Sequence, residues 1–204
     1  MGVHIVQEAV RASRGHYRYE SGHHGDLWLD LDTLLVDARR VRRWAGELAR
    51  SAAACAPELV CGPLTGGAFV AQAVAAEAGL EFVFAERRAG DRSSVTYRIP
   101  DPLRRAPAGR RVLLVDDAVN AGSALLATLA DLRACGAELV GFASLLALGD
   151  AAARLGGGAG VPFYALATLE RGLWSPGECP LCAAAIPLDE LPGSAPSGGP
   201  PSSR

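Results

Sequence analysis

Apolar positions in this chain fall into two patterns: short unbroken runs, and longer stretches in which they recur every three or four residues. The clearest run is Val112, Leu113, Leu114 and Val115, which passes directly into two acids, Asp116 and Asp117. A strand covered on both faces of a parallel sheet reads as such a run. Runs of the same kind predict strands over 58–61 (ending at Gly62), 81–85, 139–148 and 162–169, with a shorter one over 27–29. Helical spacing predicts helices over 3–13, 38–54, 67–78, 124–135 and 151–155. Asp37 stands where a helix N-cap is expected, and Arg39, Arg40, Arg42, Arg43 and Arg50 mark the polar face behind it.

Strands and helices therefore alternate, which predicts an α/β fold with a mainly parallel, twisted sheet flanked by helices. Residues 15–25 are rich in turn formers and belong to a small N-terminal region spanning 1–36. Residues 86–109 are polar and rich in Arg and Pro, and are expected to leave the sheet as a flexible loop or hairpin. From residue 193 the chain is Gly, Pro and Ser, which cannot bury a core and is expected to be disordered. The expected organisation is one domain over 1–192 with a disordered tail over 193–204.

Composition narrows the chemistry. Half of the 204 residues are hydrophobic, enough for an ordinary core, and the net charge of −2 makes no general case for nucleic acid. All 20 basic residues are Arg, so a mechanism that needs a catalytic Lys is excluded. The cluster Arg39–Arg43 is adequately explained as a solvated helix face. No stretch is long enough to cross a bilayer, and His4, Gln7, Glu8 and Arg11 interrupt any secretory leader. Five cysteines, an odd number in mostly apolar contexts, indicate reduced thiols and a cytoplasmic setting.

The candidate chemistry gathers after the predicted strands. The turn at 119–124, opening a helix, is a ready anion site, because free N–H groups and the helix dipole face outward there. Acids for hydroxyls or a metal thus sit beside a phosphate cradle. Cys61 to Gly67, CGPLTGG, is a second glycine-rich turn between a strand and a helix. Arg87 and Arg88, in FAERR, offer two guanidinium forks at another strand end.

The string VLLVDDAVNAGSA resembles the phosphoribosyl diphosphate (PRPP) motif of type I phosphoribosyltransferases: hydrophobic strand, two acids, then a turn rich in Thr, Gly and Ser. Asp116, Asp117, Gly122 and Ser123 match it, while Asn120 stands where Thr is usual. The resemblance implies the type I phosphoribosyltransferase fold with a small N-terminal hood, and transfer of ribose 5-phosphate from PRPP to a nucleobase with release of pyrophosphate. It implies that Asp116 and Asp117 are catalytic and hold the ribose hydroxyls. Val119, Asn120, Ala121, Gly122, Ser123 and Ala124 would bind the 5-phosphate, and Leu64, Thr65, Gly66 and Gly67 with Arg87 and Arg88 the pyrophosphate, Arg87 being preferred. Mg2+ would be held indirectly at Asp116 and Asp117, through ribose hydroxyls or water. A homodimer is implied, with no nucleic acid and no membrane as partners.

Within the family, GHYRYESGHHGD resembles the base-contacting N-terminal segment of orotate phosphoribosyltransferases, which implies Ser21, Gly22 and His24 as base contacts. The CPLC…IP…PGS wording from Cys179 to Ser194 is similar to the tail of a bacterial and archaeal subgroup of those enzymes. Orotate is therefore the favoured base. Two departures bear on it: Glu20 stands where many have Lys, and no Arg lies in 145–150 to grip a carboxylate. The mobile loop expected over 89–98 carries Asp91, Arg92 and Arg98 in place of Lys and His. Two readings stay open beside the first: a transferase for another base, and a non-catalytic PRPP or nucleotide sensor. Cys179 and Cys182 form one Cys-x-x-Cys; with no second pair to complete four ligands, and Cys61 and Cys135 in the core pattern, the sequence speaks against an intrachain zinc site. His23 and His24 read as exposed turn residues.

Overall fold

The computed structural model describes residues 10–19, 22–31, 33–89 and 95–190. The chain divides into two compact units: residues 1–11 with 30–170, and residues 12–29 with 171–204.

The larger unit is built on a six-stranded sheet. Its strands are β3 (Leu59–Pro63), β4 (Glu81–Ala89), β5 (Val95–Arg98), β6 (Arg111–Val119), β7 (Glu138–Leu148) and β8 (Phe163–Leu169), in the order β5-β4-β3-β6-β7-β8. All neighbours are parallel except β4 and β5, which form an antiparallel hairpin. The helices are α1 (Ala38–Ala52), α2 (Gly66–Ala78), α3 (Ser123–Ala134) and α4 (Ala151–Ala159). The expected α/β class and parallel sheet are thus present. Residues 112–116 and 141–148 are buried without a break, as central strands covered on both faces require. Asp37 caps α1 as expected, its carboxylate accepting from the N–H groups of Arg39 (3.0 Å) and Arg40 (3.2 Å).

Several elements run further than the sequence pattern predicts, among them β6, β4 and α4. β6 continues through both acids to Val119, because β7 offers backbone partners that far: Asp116 pairs with Ser144 and Val119 with Ala147. β4 continues through Arg87 and Arg88 because β5 folds back on it, so the polar excursion begins as a hairpin. α4 extends to Ala159 although residues 156–158 are all Gly. The expected mobile-loop residues Asp91 and Arg92 lie outside the described residues, whereas Arg98 ends β5 and bonds Asp101 at 2.6 Å.

One polar junction ties the hairpin to the helical layer. Asp131 on α3 accepts from the backbone N–H of Ile99 (2.8 Å) and from the Arg104 guanidinium (3.0 and 2.8 Å). Ile99 itself is fully buried in the cluster formed by Leu59, Val83, Leu114 and Leu132.

The smaller unit is a three-stranded sheet ordered β1-β2-β9, from β1 (Arg11–Arg18), β2 (His24–Asp30) and β9 (Leu173–Trp174), with a short helix α5 (Pro180–Ala183). Residues 11–13, expected at the end of a helix, are strand, as are 15–18, expected as turn. The rest of that expected helix, 3–9, lies outside the described residues, as does the tail over 193–204. The hood strands thus share a unit with the C-terminal segment, a pairing that local periodicity has no means of announcing. Among the described residues no helix is long and apolar enough to cross a membrane.

Asp131→Ala removes an acceptor from one backbone N–H and one guanidinium in a partly buried setting. It is expected to lower stability by about 1–3 kcal/mol, read as a shifted urea midpoint at unchanged slope; an unshifted midpoint would show that the junction does not hold the hairpin.

Candidate active site

Asp116 and Asp117 stand near the carboxyl end of β6, the location where open α/β sheets bind ligands. Asp116 is buried; Asp117 is half-buried. The N–H of Asp117 donates to Asp116 Oδ1 at 3.0 Å. Burial pushes the Asp116 carboxyl well above its ordinary value of 3.8, and the neighbouring Asp117 charge adds to the rise.

The glycine-rich turn after β3 comes directly onto this pair. A Cβ on Gly66 would overlap the Asp117 carboxylate, and one on Gly67 would overlap the Asp116 carboxylate. These two glycines are therefore required by contact, since any side chain would displace an acid. The turn contains a cis peptide between Leu64 and Thr65, and α2 starts at Gly66 with no side chain capping its first N–H groups. Leu64 N–H donates to Ala85 O at 2.9 Å, tying the turn to β4.

On the other side, β6 turns through Asn120 and Ala121 into α3. Gly122 sits at φ +81°, a conformation that favours glycine, and a Cβ there would also strike the Leu155 side chain. It leaves the α3 N-terminus uncapped, with Ser123 and Ala124 in the first turn. Asn120 Oδ1 is buried without a hydrogen-bond partner. The acid pair is thus followed by one helix N-terminus and touched by the glycines of another, and each N-terminus carries free N–H donors and the positive end of a helix dipole.

Arg87 and Arg88 lie within β4, not beyond it. Strand alternation puts Arg87 on the face of Val83 and Ala85 and Arg88 on the opposite one, where Arg88 bonds Glu86 at 2.7 Å. Arg154, the nearest Arg to the stretch 145–150, holds Asp150 at 2.9 Å.

The proposed base contacts lie in the smaller unit. Ser21 lies outside the described residues, and Gly22 is an exposed turn residue. His24 differs from expectation: it opens β2 and is buried, because alternation turns its ring away from that of exposed His23. Its ring joins His16, Cys179 and Cys182, whose ligand atoms all lie within 4.8 Å of one another. The second pair of metal-type ligands, missing from the sequence reading, is therefore a pair of histidines from β1 and β2. No short spacing signals them, since they come together with the cysteines only through the fold.

A Phosphoribosyl transferase domain profile matches residues 31–155, and the chain belongs to the phosphoribosyltransferase family. Within that family it is similar to the orotate phosphoribosyltransferase of Caldanaerobacter subterraneus subsp. tengcongensis, at 30% identity over 93% of this chain and 94% of that protein. Among solved structures, the orotate phosphoribosyltransferase of Mycobacterium tuberculosis in complex with inorganic phosphate matches at 25% identity and a TM-score of 0.58, covering 81% of this chain and 92% of that one. The adenine phosphoribosyltransferase of Thermoanaerobacter pseudethanolicus shares the fold, with a TM-score of 0.66 at 18% identity over 81% of this chain and 99% of that one.

The raised Asp116 carboxyl sets a pH-dependence. Well below pH 3.8 the group is protonated folded and unfolded alike. As pH rises above that value the unfolded chain releases the proton first, so the folded state loses relative stability until the folded carboxyl also ionises. Asp116→Asn is therefore expected to be more stable than the wild type at neutral pH without ligand or divalent ions, with the advantage shrinking toward pH 4. Melting curves across that range check it; a variant less stable at neutral pH would contradict the burial cost.

Proposed function

We propose that this protein transfers ribose 5-phosphate from PRPP to orotate, forming orotidine 5′-phosphate and pyrophosphate in pyrimidine nucleotide synthesis. The observation that carries the reading is the lodging of the acid pair Asp116–Asp117 against one uncapped helix N-terminus and just before another. PRPP has two anionic ends with hydroxyls between them, and this arrangement has donors at two places with carboxylates between. The N–H groups of Val119 to Ala124 receive the 5-phosphate. The turn Leu64, Thr65, Gly66 and Gly67, with Arg87, receives the pyrophosphate; Arg88, already paired with Glu86, contributes less.

In the transfer, a base nitrogen forms a bond to the anomeric carbon as the carbon–oxygen bond to pyrophosphate breaks, and the electron pair leaves with that oxygen. Positive charge develops on the sugar. Asp117, beside the hydroxyls, stabilises that charge, and Asp116 orients them. Such preorganised electrostatics is usually the largest catalytic contribution. The residues present suit magnesium: the carboxylates of Asp116 and Asp117 are hard oxygen donors that would hold, through water or ribose hydroxyls, an ion that keeps most of its waters. When bound, magnesium neutralises charge on the leaving pyrophosphate.

The similarity to orotate enzymes over most of the chain supports orotate as the base. A second reading, another base, is favoured by one observation: no Arg stands in 145–150, and Arg154 is held by Asp150. A homodimer is supported by the apolar groove between α1 and α2, lined by Val41, Phe69, Ala73 and Ala76, where Phe69 is 54% exposed. Free cysteines support a reducing cytoplasmic setting.

Pyrophosphate release from PRPP and magnesium, measured over a panel of bases, tests the reading. Release with orotate is expected; release only with another base selects the second reading, and PRPP binding without any turnover leaves a sensor. Asp117→Asn is expected to lower kcat by about 100-fold or more with a melting temperature no lower than that of the wild type, since it removes a charge beside buried Asp116. Full activity in that variant would remove Asp117 from the mechanism.

A further inference from the structure

The smaller unit holds a group of side chains that the transferase chemistry does not use. His16 Nε2 lies 3.1 Å from His24 Nδ1, 3.5 Å from Cys179 Sγ and 3.7 Å from Cys182 Sγ, and His24 Nδ1 lies 3.2 Å from Cys182 Sγ. His16, His24 and Cys179 are buried, while Cys182 reaches solvent.

These separations are those of ligands around one ion. Zinc bonds of about 2.0–2.1 Å to nitrogen and about 2.3 Å to sulfur, at tetrahedral angles, put neighbouring donors about 3.3 Å apart for two nitrogens and about 3.6 Å apart for nitrogen and sulfur. Hydrogen bonding alone explains the convergence poorly. His16 Nδ1 lies 2.7 Å from the carbonyl oxygen of Ile186, which can only accept, so the ring proton is on Nδ1. In the tautomer with that proton alone, Nε2 is a single lone pair with three other ligand atoms crowded around it. A cation at the centre satisfies all four ligand atoms at once.

The surroundings hold the ligands in place. Asp189 pins the His16 backbone from both sides: its carboxylate accepts from His16 N–H at 2.7 Å, and its own N–H donates to His16 O at 2.7 Å. The Nδ1–H to Ile186 bond fixes the tautomer that leaves Nε2 free to ligate, a common outer partner for a metal-bound His. Cys179 precedes the single turn of α5, with Ala183 N–H donating to Cys179 O at 3.1 Å, so Cys182 returns to the same side. The chain then bends back at Ala185, with φ +54°, which brings Ile186 and Asp189 to His16.

We infer that His16, His24, Cys179 and Cys182 form a structural zinc site that clamps the C-terminal segment onto the β1–β2 strands of the smaller unit. Two histidines and two thiolates in a closed set of four are the donor chemistry of structural zinc. Four protein ligands leave no open position, so the ion contributes to folding, not to transfer. Such an ion cross-links residues more than 150 positions apart, within a unit whose sheet has only three strands.

The test uses the untagged full-length chain purified under reducing conditions, with no PRPP or base, so its outcome is independent of the transferase reading. About one zinc per chain is expected by elemental analysis, and cobalt exchanged into the site is expected to show tetrahedral ligand-field bands with thiolate charge transfer. Cys182→Ser and His24→Ala are expected to lose most of the metal, whereas Cys55→Ser and Cys135→Ser retain it. Because Cys182 is exposed, its alkylation in the wild type is expected to be slow and to accelerate on adding a chelator, a readout that needs no variant. Chelation is also expected to lower the melting temperature. Metal-free protein from zinc-replete cells, rapid Cys182 alkylation without chelator, or a Cys179–Cys182 disulfide in the purified chain would each overturn the inference.

Discussion

A carboxyl group buried beside a second carboxylate is costly, and this molecule places one near the ligand-facing end of a central strand. Asp116 is buried because β6 does not stop at the acids; β7 continues to pair with it as far as Val119. The glycines at 66 and 67 come so close to the pair that a Cβ on either would overlap a carboxylate. Much of the larger unit can be understood as surrounding that pair with positive partial charge from uncapped helix N-termini. Burial, with the neighbouring Asp117 charge, holds the Asp116 carboxyl above its ordinary value; under the proposed function, ribose hydroxyls would meet the pair there.

That arrangement explains why small residues cluster where they do. Gly66, Gly67 and Gly122 are each held by a neighbouring side chain, an acid in the first two cases and Leu155 in the third. The glycines of α4, 156–158, are mostly different in kind: a Cβ on Gly157 or Gly158 would meet open space. Abundance of glycine in the composition therefore conceals two populations, of which one packs against the acid pair and the start of α3.

The smaller unit solves another problem. Its sheet has only three strands, the third of two residues, and brings together segments from near the two ends of the described chain. A sheet of that size buries little apolar surface by itself. Hydrogen bonds of Asp189 to His16 and of Gly172 N–H to Asp26 contribute, and the zinc inferred at the His–Cys cluster supplies a cross-link where a hydrophobic core has little room to form.

Local sequence was enough for the parallel sheet, the Asp37 cap, and the acid pair followed by a turn that opens a helix. Each rests on interactions among neighbours in the chain: an unbroken apolar run, a carboxylate two residues from the N–H it accepts, a glycine that opens a helix. Contacts between distant residues were beyond its reach. The extension of β6 depends on β7, the strand character of Arg87 and Arg88 on β5, and the partners of Cys179 and Cys182 on histidines more than 150 residues earlier. His24 shows the difference most plainly. Next to His23 it reads as a solvated turn residue, yet strand alternation buries its ring among sulfur and nitrogen ligands. Periodicity reports which face a side chain takes on its own element; only the folded chain settles what stands on the other side.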